Sequence, residues 1–322
     1  MLAIQISRTG SPEVLEAVEV EVPSPAAGQI LVRHAAVGLN YIDTYHRSGL
    51  YPLKLPSGIG LEAAGTVEAL GDGVTRFKVG DRVAYNGTMG AYAEAAVVPA
   101  DRAVKVPDGV SLETAAAAML KGMTAEFLVR RCFHVKHGDA VLIHAAAGGV
   151  GQILVQWCKA LGATVIATVG SETKAAIARD LGADHVIDYS HEDVAAKVAE
   201  LTGGQGVAVV YDGVGKDTFM GSLDCLRPLG MMVTYGNASG PVPPLDLLLL
   251  SQKGSLFVTR PTLMNYTAKR EDLVALGGEL FDVVGSGQVK IEVNQTYALQ
   301  DAAQAHRDLE ARKTTGSTIL LP

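Results

Sequence analysis

The segment 139–171, DAVLIHAAAGGVGQILVQWCKALGATVIATVGS, constrains the fold more than any other part of the chain. An apolar run over 140–145 passes directly into Ala146-Ala147-Gly148-Gly149-Val150-Gly151, then into a helical pattern through Leu161, then into a second apolar run over 164–169. Runs that are apolar on both alternating faces belong to strands covered above and below. Strand, glycine loop, helix and second strand together make a right-handed crossover of a parallel sheet. Glycine is needed there in two places: where the backbone approaches a pyrophosphate and where helix and strand touch. The helix N-terminus adds free N–H groups and a partial positive charge for the anion. Ala146 stands at the first of the three glycine positions, and Gly148 and Gly151 at the other two. With a strand before it and a helix after it, the loop reads as a dinucleotide cradle with Gly148 and Gly151 at its glycine positions, rather than as a ligand-free turn.

The end of the second strand bears on which nucleotide is held. An acid at that tip grips adenosine ribose hydroxyls. Here the strand ends Thr168-Val169-Gly170-Ser171, and the first acid, Glu172, is followed by Lys174 one turn along. A small hydroxyl with a lysine suits a 2′-phosphate, which an acid would repel. These residues favour NADPH, with Ser171 and Lys174 as contacts. Lys174 taken alone is equally compatible with a solvated helix position. Tyr189 closes the third strand, within reach of the same pocket.

The alternation continues with apolar runs at 185–189, 207–212, 231–236 and 255–259, separated by helical segments at 172–181, near 191–201 and near 216–226. The pattern predicts an α/β fold with a doubly wound parallel sheet, the Rossmann arrangement, over 121–261. Residues 1–120 differ: QILVRHAAVGLN, AAGTVEALG, GDRVAYNG, YAEAAVVPA and RAVKVPDG are short strand candidates with turn signals between them, as in a barrel or sandwich. Ser111 then opens an alanine-rich helix. The tail, 262–322, carries helical segments near 267–285 and 298–312 and a last strand, and is expected to fold back onto the first domain.

Composition excludes several functions. Only 19% of the 322 residues are charged and the net charge is −7, a poor match to a phosphate backbone, so no nucleic-acid partner is expected. No apolar stretch approaches the roughly 18 residues of a membrane span. The first thirty residues carry acids and prolines rather than a basic start and an apolar block, so a cytoplasmic protein is expected. Three cysteines, Cys132, Cys158 and Cys225, make no disulfide framework and are not spaced as metal pairs. His34, His46 and His144 are isolated from one another in sequence and read as structural.

Several segments match in order those of the zinc-free quinone oxidoreductases, the zeta-crystallin group of the medium-chain dehydrogenase/reductase superfamily: GSPEVLE at 10–16, VGLNYIDTYHRSGLY at 37–51, GLEAAGTV at 60–67, GDRVAY at 80–85, LKGMTA at 120–125, HAAAGGVGQ at 144–152, VYDGVG at 210–215, QKGSLFVTRP at 252–261 and the terminal TTGSTILLP. The chain resembles that group, and the bacterial NADPH:quinone reductases in particular. The resemblance implies a GroES-like β-barrel domain built from the N-terminal part and the tail around a Rossmann domain, in a homodimer. Zinc-dependent relatives hold their metal with an early Cys, a His in a Gly-His-Glu motif and a later Cys. Here the motif is Gly60-Leu61-Glu62 and no cysteine precedes Cys132, so too few ligands remain for zinc and no metal is expected.

Without a Lewis acid, hydride needs an acceptor that takes it readily, and a quinone, whose ring becomes aromatic, is such an acceptor. A conjugated enone or alkenal is the next easiest, and a non-catalytic NADPH-binding protein is the reading from another class. By resemblance, Asn40, Asp43, Tyr45 and Tyr51 surround the substrate, with Tyr41 among the cofactor contacts. The tyrosines would supply flat walls and hydroxyl donors, while Asn40 or Asp43 orients a neighbour; the same tyrosines are also compatible with simply packing a barrel rim. Further cofactor contacts follow by resemblance: Met123 and Thr124 at the nicotinamide ribose, Gly149 and Val150 at the pyrophosphate, Gly213, Gly236 and Asn237 after the fourth and fifth strands, Phe257, Val258 and Thr259 toward the carboxamide, and Arg312 at the 2′-phosphate.

Overall fold

The computed structural model describes all 322 residues. They form two compact units: Met1–Met123 with Tyr266–Gly287 and Ile291–Pro322, and Thr124–Asn265 with Gln288–Lys290. In chain order the first unit opens with β1 (Leu2–Ile6), β2 (Glu16–Glu19), β3 (Gln29–Leu39), α1 (Tyr41–Ser48), β4 (Ser57–Gly58), β5 (Glu62–Leu70), β6 (Arg82–Asn86), β7 (Ala95–Pro99), β8 (Ala103–Lys105) and α2 (Leu112–Phe127). The division between the units falls within α2. The second unit continues with β9 (Ala140–Ile143), α3 (Gly149–Ala160), β10 (Thr164–Val169), α4 (Glu172–Asp180), β11 (His185–Asp188), α5 (Val194–Leu201), β12 (Val207–Asp212), α6 (Phe219–Asp224), β13 (Leu226–Thr234), α7 (Leu248–Gln252), β14 (Phe257–Thr259) and α8 (Leu263–Tyr266). The chain ends with α9 (Arg270–Gly285), β15 (Val293–Ala298), α10 (Ala302–Glu310) and β16 (Ser317–Leu321).

In the first unit, β3 organises a seven-stranded sheet ordered β15-β16-β3-β5-β6-β8, with β7 also paired to β3. Eleven residues of β3 serve three antiparallel neighbours, β5, β7 and β16, with register shifts at Leu31/Val32 and His34/Ala36 against β5. Gly65 permits the second shift, since a Cβ there would lie 1.9 Å from the Arg33 carbonyl oxygen. Ile30, Val32, Val37, Leu39, Val67, Val83, Tyr85, Tyr92 and Leu320 fill the core, so the last strand is part of it. A small sheet, β2-β1-β4, completes this unit.

The second unit is one parallel sheet of six strands ordered β11-β10-β9-β12-β13-β14. The order reverses between β9 and β12. A crevice opens at such a reversal, outside the carboxyl ends of the strands, and that is where ligands bind in these sheets. The strands are apolar because both faces are covered: all six residues of β12 and five of six in β10 are buried.

Several boundaries differ from the sequence expectation. The helix expected near 216–226 is only Phe219–Asp224, because Asp212 holds 213–218 as a turn: Oδ1 accepts from the Val214 and Gly215 N–H groups and Oδ2 from the Thr218 hydroxyl. The strand expected at 231–236 begins at Leu226 and ends at Thr234, with Leu229 in a left-handed conformation (φ 61°). The helix expected over 298–312 starts as a 3-10 turn at Leu299–Asp301 and ends before Arg312, which is itself left-handed (φ 58°). No helix of the chain is long and apolar enough to cross a membrane.

Candidate active site

At the nucleotide loop of the second unit, β9 turns through Ala145, left-handed at φ 50°, into Gly148, the N-cap of α3. The positive φ thus falls one residue before the first-glycine position that Ala146 occupies. Gly151 is required by contact: a Cβ would lie 2.3 Å from the Ala145 carbonyl oxygen and 2.8 Å from the Ala146 Cα. Gln152 fastens the loop by donating from Nε2 to the Ala147 carbonyl at 3.0 Å. Gly149 and Val150 form the first turn of α3, so the anion-binding end of the helix is built from the residues the sequence marks.

The tip of β10 carries Gly170, Ser171 and, from the neighbouring strand, Tyr189. Ser171 caps α4 by accepting from the Lys174 backbone N–H. The Tyr189 ring lies against Gly170, whose Cβ would sit 2.4 Å from the tyrosine hydroxyl, and the ring is about half exposed. Glu172, the nearest acid, is paired with Arg179 at 2.6 Å. Serine and tyrosine therefore stand at the strand tip, and Lys174 lies in the first turn of α4.

Across the reversal, the loops after β12 and β13 press together, since a Cβ on Gly236 would lie 2.2 Å from the Gly213 carbonyl oxygen. Arg260, which sequence reasoning did not single out, donates to the Gly236 carbonyl at 2.8 Å and to the Thr234 hydroxyl at 3.3 Å. Asn237 follows directly in that loop. Phe257, Val258 and Thr259 form the edge strand β14, with Phe257 55% exposed. His144 is buried between the Thr168 and Ser222 hydroxyls, 2.9 Å from each, and burial holds its pKa below the usual imidazole value.

In the first unit, Asn40 caps α1 and Tyr41–Tyr45 form its start, and the four expected substrate residues fall into two groups. Tyr41, Tyr45 and Tyr51 form a ring series, with centroids 5.6 Å apart for Tyr41–Tyr45 and 5.1 Å for Tyr45–Tyr51, and His46 meets Tyr51 edge-on at 5.8 Å. Tyr45 is buried at 7% exposed, and Asn40 and Asp43, 4% and 0% exposed, enter a different set of contacts. Burial and the nearby Glu310 carboxylate raise the Tyr41 pKa, against the smaller opposing pull of Arg312 and Arg47.

Asn40 and Asp43 enter a buried polar network. Asn40 Nδ2 donates to Glu62 Oε2 at 2.7 Å, and the Glu62 carboxylate also accepts from the Leu120 backbone N–H and from Lys121 Nζ at 3.3 Å. Gly38 makes room for it, because a Cβ there would lie 2.1 Å from Glu62 Oε2. Asp43 Oδ2 accepts from the Asn40 backbone N–H and from the Tyr92 hydroxyl, each at 2.9 Å, while Oδ1 has no partner. Burial pushes the Asp43 pKa up to about 7, despite those two donors and the nearby Lys121. Beside the cluster, Met123 is fully buried and its Sδ accepts from Asn86 Nδ2 at 3.0 Å, leaving Asn86 Oδ1 without a partner. Thr124 is also nearly buried. Sequence reasoning left Lys121, Tyr92, Arg47 and His306 outside the site.

This donor set does not fit a zinc ion. A structural or catalytic zinc needs three or four thiolate, imidazole or carboxylate ligands. Around Glu62 stand an amide, a backbone N–H and an ammonium, all donors, and no group of three or more His, Cys, Asp or Glu residues converges anywhere in the molecule.

Comparison with known proteins follows these outlines. Residues 26–108 match the alcohol dehydrogenase GroES-like domain and residues 149–276 match the zinc-binding dehydrogenase family. The chain is 54% identical over 321 residues, 99% of both chains, to the quinone oxidoreductase of Pseudomonas aeruginosa. It is 47% identical to the 2-haloacrylate reductase of a Burkholderia species, over 100% of this chain and 99% of that one. It superposes with a TM-score of 0.98 on the crystal structure of Escherichia coli quinone oxidoreductase complexed with NADPH, at 49% identity and covering 100% of both chains. With likeness at this level running from end to end, the chain belongs to the quinone oxidoreductases of the medium-chain dehydrogenase/reductase superfamily.

Proposed function

We propose that the protein is an NADPH-dependent quinone reductase that works without zinc. The net reaction is quinone, NADPH and one proton to hydroquinone and NADP⁺. When bound, NADPH supplies the two electrons as hydride; the residues here bind, orient and govern protons. Gly148, Gly149, Val150 and Gly151 receive the pyrophosphate at the α3 N-terminus, and Ser171, Lys174 and Tyr189, with Arg312, receive the 2′-phosphate. Met123, Thr124, Gly213, Gly236, Asn237, Phe257, Val258, Thr259 and Tyr41 complete the cofactor contacts in this reading. Tyr51, backed by the buried Tyr45 ring, offers an aromatic face to a planar acceptor, and Asn40 and Asp43 fix the start of α1 that carries Tyr45.

The observation that carries the reading is the state of Glu62. Its carboxylate is occupied by Asn40, the Leu120 N–H and the Lys121 ammonium. A cationic side chain beside the one acid left of the zinc motif opposes a metal there; in this reading the acceptor takes hydride without a Lewis acid, as a quinone does most readily. The 2-haloacrylate reductase relative favours a second reading, reduction of an activated carbon–carbon double bond in an enone or alkenal. A further rival, a nucleotide-binding protein without activity, separates from both in one assay. NADPH and NADH oxidation are followed by stopped flow against a panel of quinones and α,β-unsaturated carbonyl compounds. Fast turnover of NADPH with 1,4-benzoquinone is expected; turnover confined to enones would favour the second reading, and binding without turnover the third.

A homodimer and a cytoplasmic setting belong to the same proposal. Strand β14 leaves one edge of the parallel sheet open, with Phe257 exposed on it, and such an edge calls for cover. A reducing compartment suits the three free thiols, of which Cys158 and Cys225 are buried.

A further inference from the structure

The last long helix, α10, sends one side chain into the network around Asp43, and the reading above assigns it nothing. His306 is fully buried. Its Nε2 lies 3.0 Å from the Tyr92 hydroxyl and its Nδ1 lies 3.2 Å from Arg47 Nη1. Arg47, on α1, is 3% exposed and holds Glu310 through two hydrogen bonds of 2.9 and 2.7 Å, while its Nε donates to the Gly10 carbonyl at 3.1 Å.

Hydrogen-bond chemistry fixes the direction of this chain. A guanidinium has donors only, so His306 Nδ1 must accept from Arg47. A neutral imidazole with Nδ1 accepting carries its hydrogen on Nε2, so Nε2 donates to the Tyr92 oxygen. The Tyr92 hydroxyl, its oxygen engaged, turns its own hydrogen to Asp43 Oδ2 at 2.9 Å. Every link therefore points one way, from Arg47 through His306 and Tyr92 to Asp43. Burial and the neighbouring Arg47 hold the His306 pKa down to about 3, so the imidazole stays neutral and the polarity does not reverse under ordinary conditions.

We propose that His306 is a positioning residue for the reaction, orienting the Tyr92 hydroxyl so that it supports the Asp43 carboxylate at the head of α1. The proposal rests on the quinone reductase reading, because there Asp43 fixes the start of the helix that carries the substrate-side Tyr45. The charged and titratable groups that face Asp43 are Tyr92, Lys121 and Glu62, with the Asn40 N–H supplied by the turn into α1. Those facing His306 are Arg47, Tyr92 and, through Arg47, Glu310 on its own helix. Because both Asp43 contacts fall on Oδ2, the proton of the neutral carboxyl resides on Oδ1, the oxygen without a partner. A donor lost from Oδ2 favours the neutral form, so the carboxyl titrates at higher pH.

The test uses the full-length protein and three variants. His306→Leu removes both ring nitrogens; His306→Gln replaces them in kind, with Oε1 to accept from Arg47 and Nε2 to donate to Tyr92; Tyr92→Phe deletes the last donor. The Asp43 carboxyl is titrated by ¹³C NMR, which needs no substrate, and kcat/KM with NADPH and 1,4-benzoquinone is measured across pH. The inflection near pH 7 is expected to move upward in Tyr92→Phe, to move upward by a smaller amount in His306→Leu, and to return toward the original position in His306→Gln, with the kinetic profile following the titration. An unmoved carboxyl in His306→Leu, or a glutamine variant no different from the leucine one, overturns the chain. A carboxyl that moves while the kinetic profile stays fixed overturns the link to catalysis. If no quinone is reduced at all, the functional reading fails, yet the titration still decides whether His306 acts on Asp43.

Discussion

Lys174 and Glu62 are the two residues on which the proposed chemistry most depends. In the proposed site Lys174, in the first turn of α4 after the tip of β10, supplies a positive charge for the 2′-phosphate, where an acid at the tip would bind ribose hydroxyls instead. Replacing it with alanine removes one charged contact to a phosphate, worth roughly 1.5 kcal/mol or about tenfold. Lys174→Ala is therefore expected to lower the preference for NADPH over NADH by about an order of magnitude, measured as the ratio of kcat/KM values, with NADH turnover little changed. An unaltered ratio would remove Lys174 from the phosphate site. Glu62 is the fully buried hub of Asn40, the Leu120 N–H and Lys121. Neutralising one partner of a buried pair leaves the other charge uncompensated, at a cost of about 3–5 kcal/mol. Urea unfolding of Glu62→Gln should reveal a loss of that size, and a loss below about 1 kcal/mol would mean that Lys121 escapes to solvent. These residues were unequally legible in the sequence. Lys174 and Ser171 are read from a local pattern, strand then loop then helix. Glu62 was visible only as the remnant of a motif, and its partner Lys121 not at all, because a 59-residue separation leaves no periodic trace.

At the scale of elements, the parallel sheet was largely legible because its strands are apolar on both faces and its helices end in glycine. Helix α1 was not. Tyr, Ile and Thr favour strands and mask an eight-residue helix. The signals were nonetheless present: Asn40 at the N-cap, Asp43 three residues on, and Gly49 left-handed (φ 87°) at the C-terminus. Ends were misjudged where a side chain outside the segment decides them, as Asp212 does in shortening α6. Edge strand β14 is three residues long and presents Phe257 on its exposed surface. If that edge is covered by a second copy, Phe257→Lys should convert the dimer to a monomer in sedimentation velocity at micromolar concentration while leaving the fold intact by circular dichroism. Equal sedimentation of variant and parent would place the dimer contact elsewhere or exclude it.

For the whole molecule, buried titratable groups set the dependence of stability on pH. Burial lowers His34 to about 4 and His306 to about 3, so each contributes stability above the unfolded value near 6.5 that drains away as pH falls through the folded values. Asp43, raised to about 7, acts in the opposite sense: its contribution is present below the unfolded value of 3.8 and is lost as pH rises through 7. Near pH 5 the unfolded chain thus binds two more protons at His34 and His306 and one fewer at Asp43, and His144 and His46, also lowered by burial, add to the histidine side. The net of at least one proton gives a slope of at least about 1.4 kcal/mol per pH unit there, with stability falling on acidification. Urea unfolding at pH 6.5, 5.5 and 4.5 should follow that slope, whereas stability that rises toward pH 4.5 would show the carboxyl to dominate.

The account turns on hydride passing from NADPH to a quinone with no metal ion. Its most direct test is the initial rate of NADPH oxidation by 1,4-benzoquinone after the purified protein has been dialysed exhaustively against a chelator. The rate should equal that of untreated protein and exceed the rate with NADH. A rate that collapses on chelation and returns when zinc is restored would contradict it.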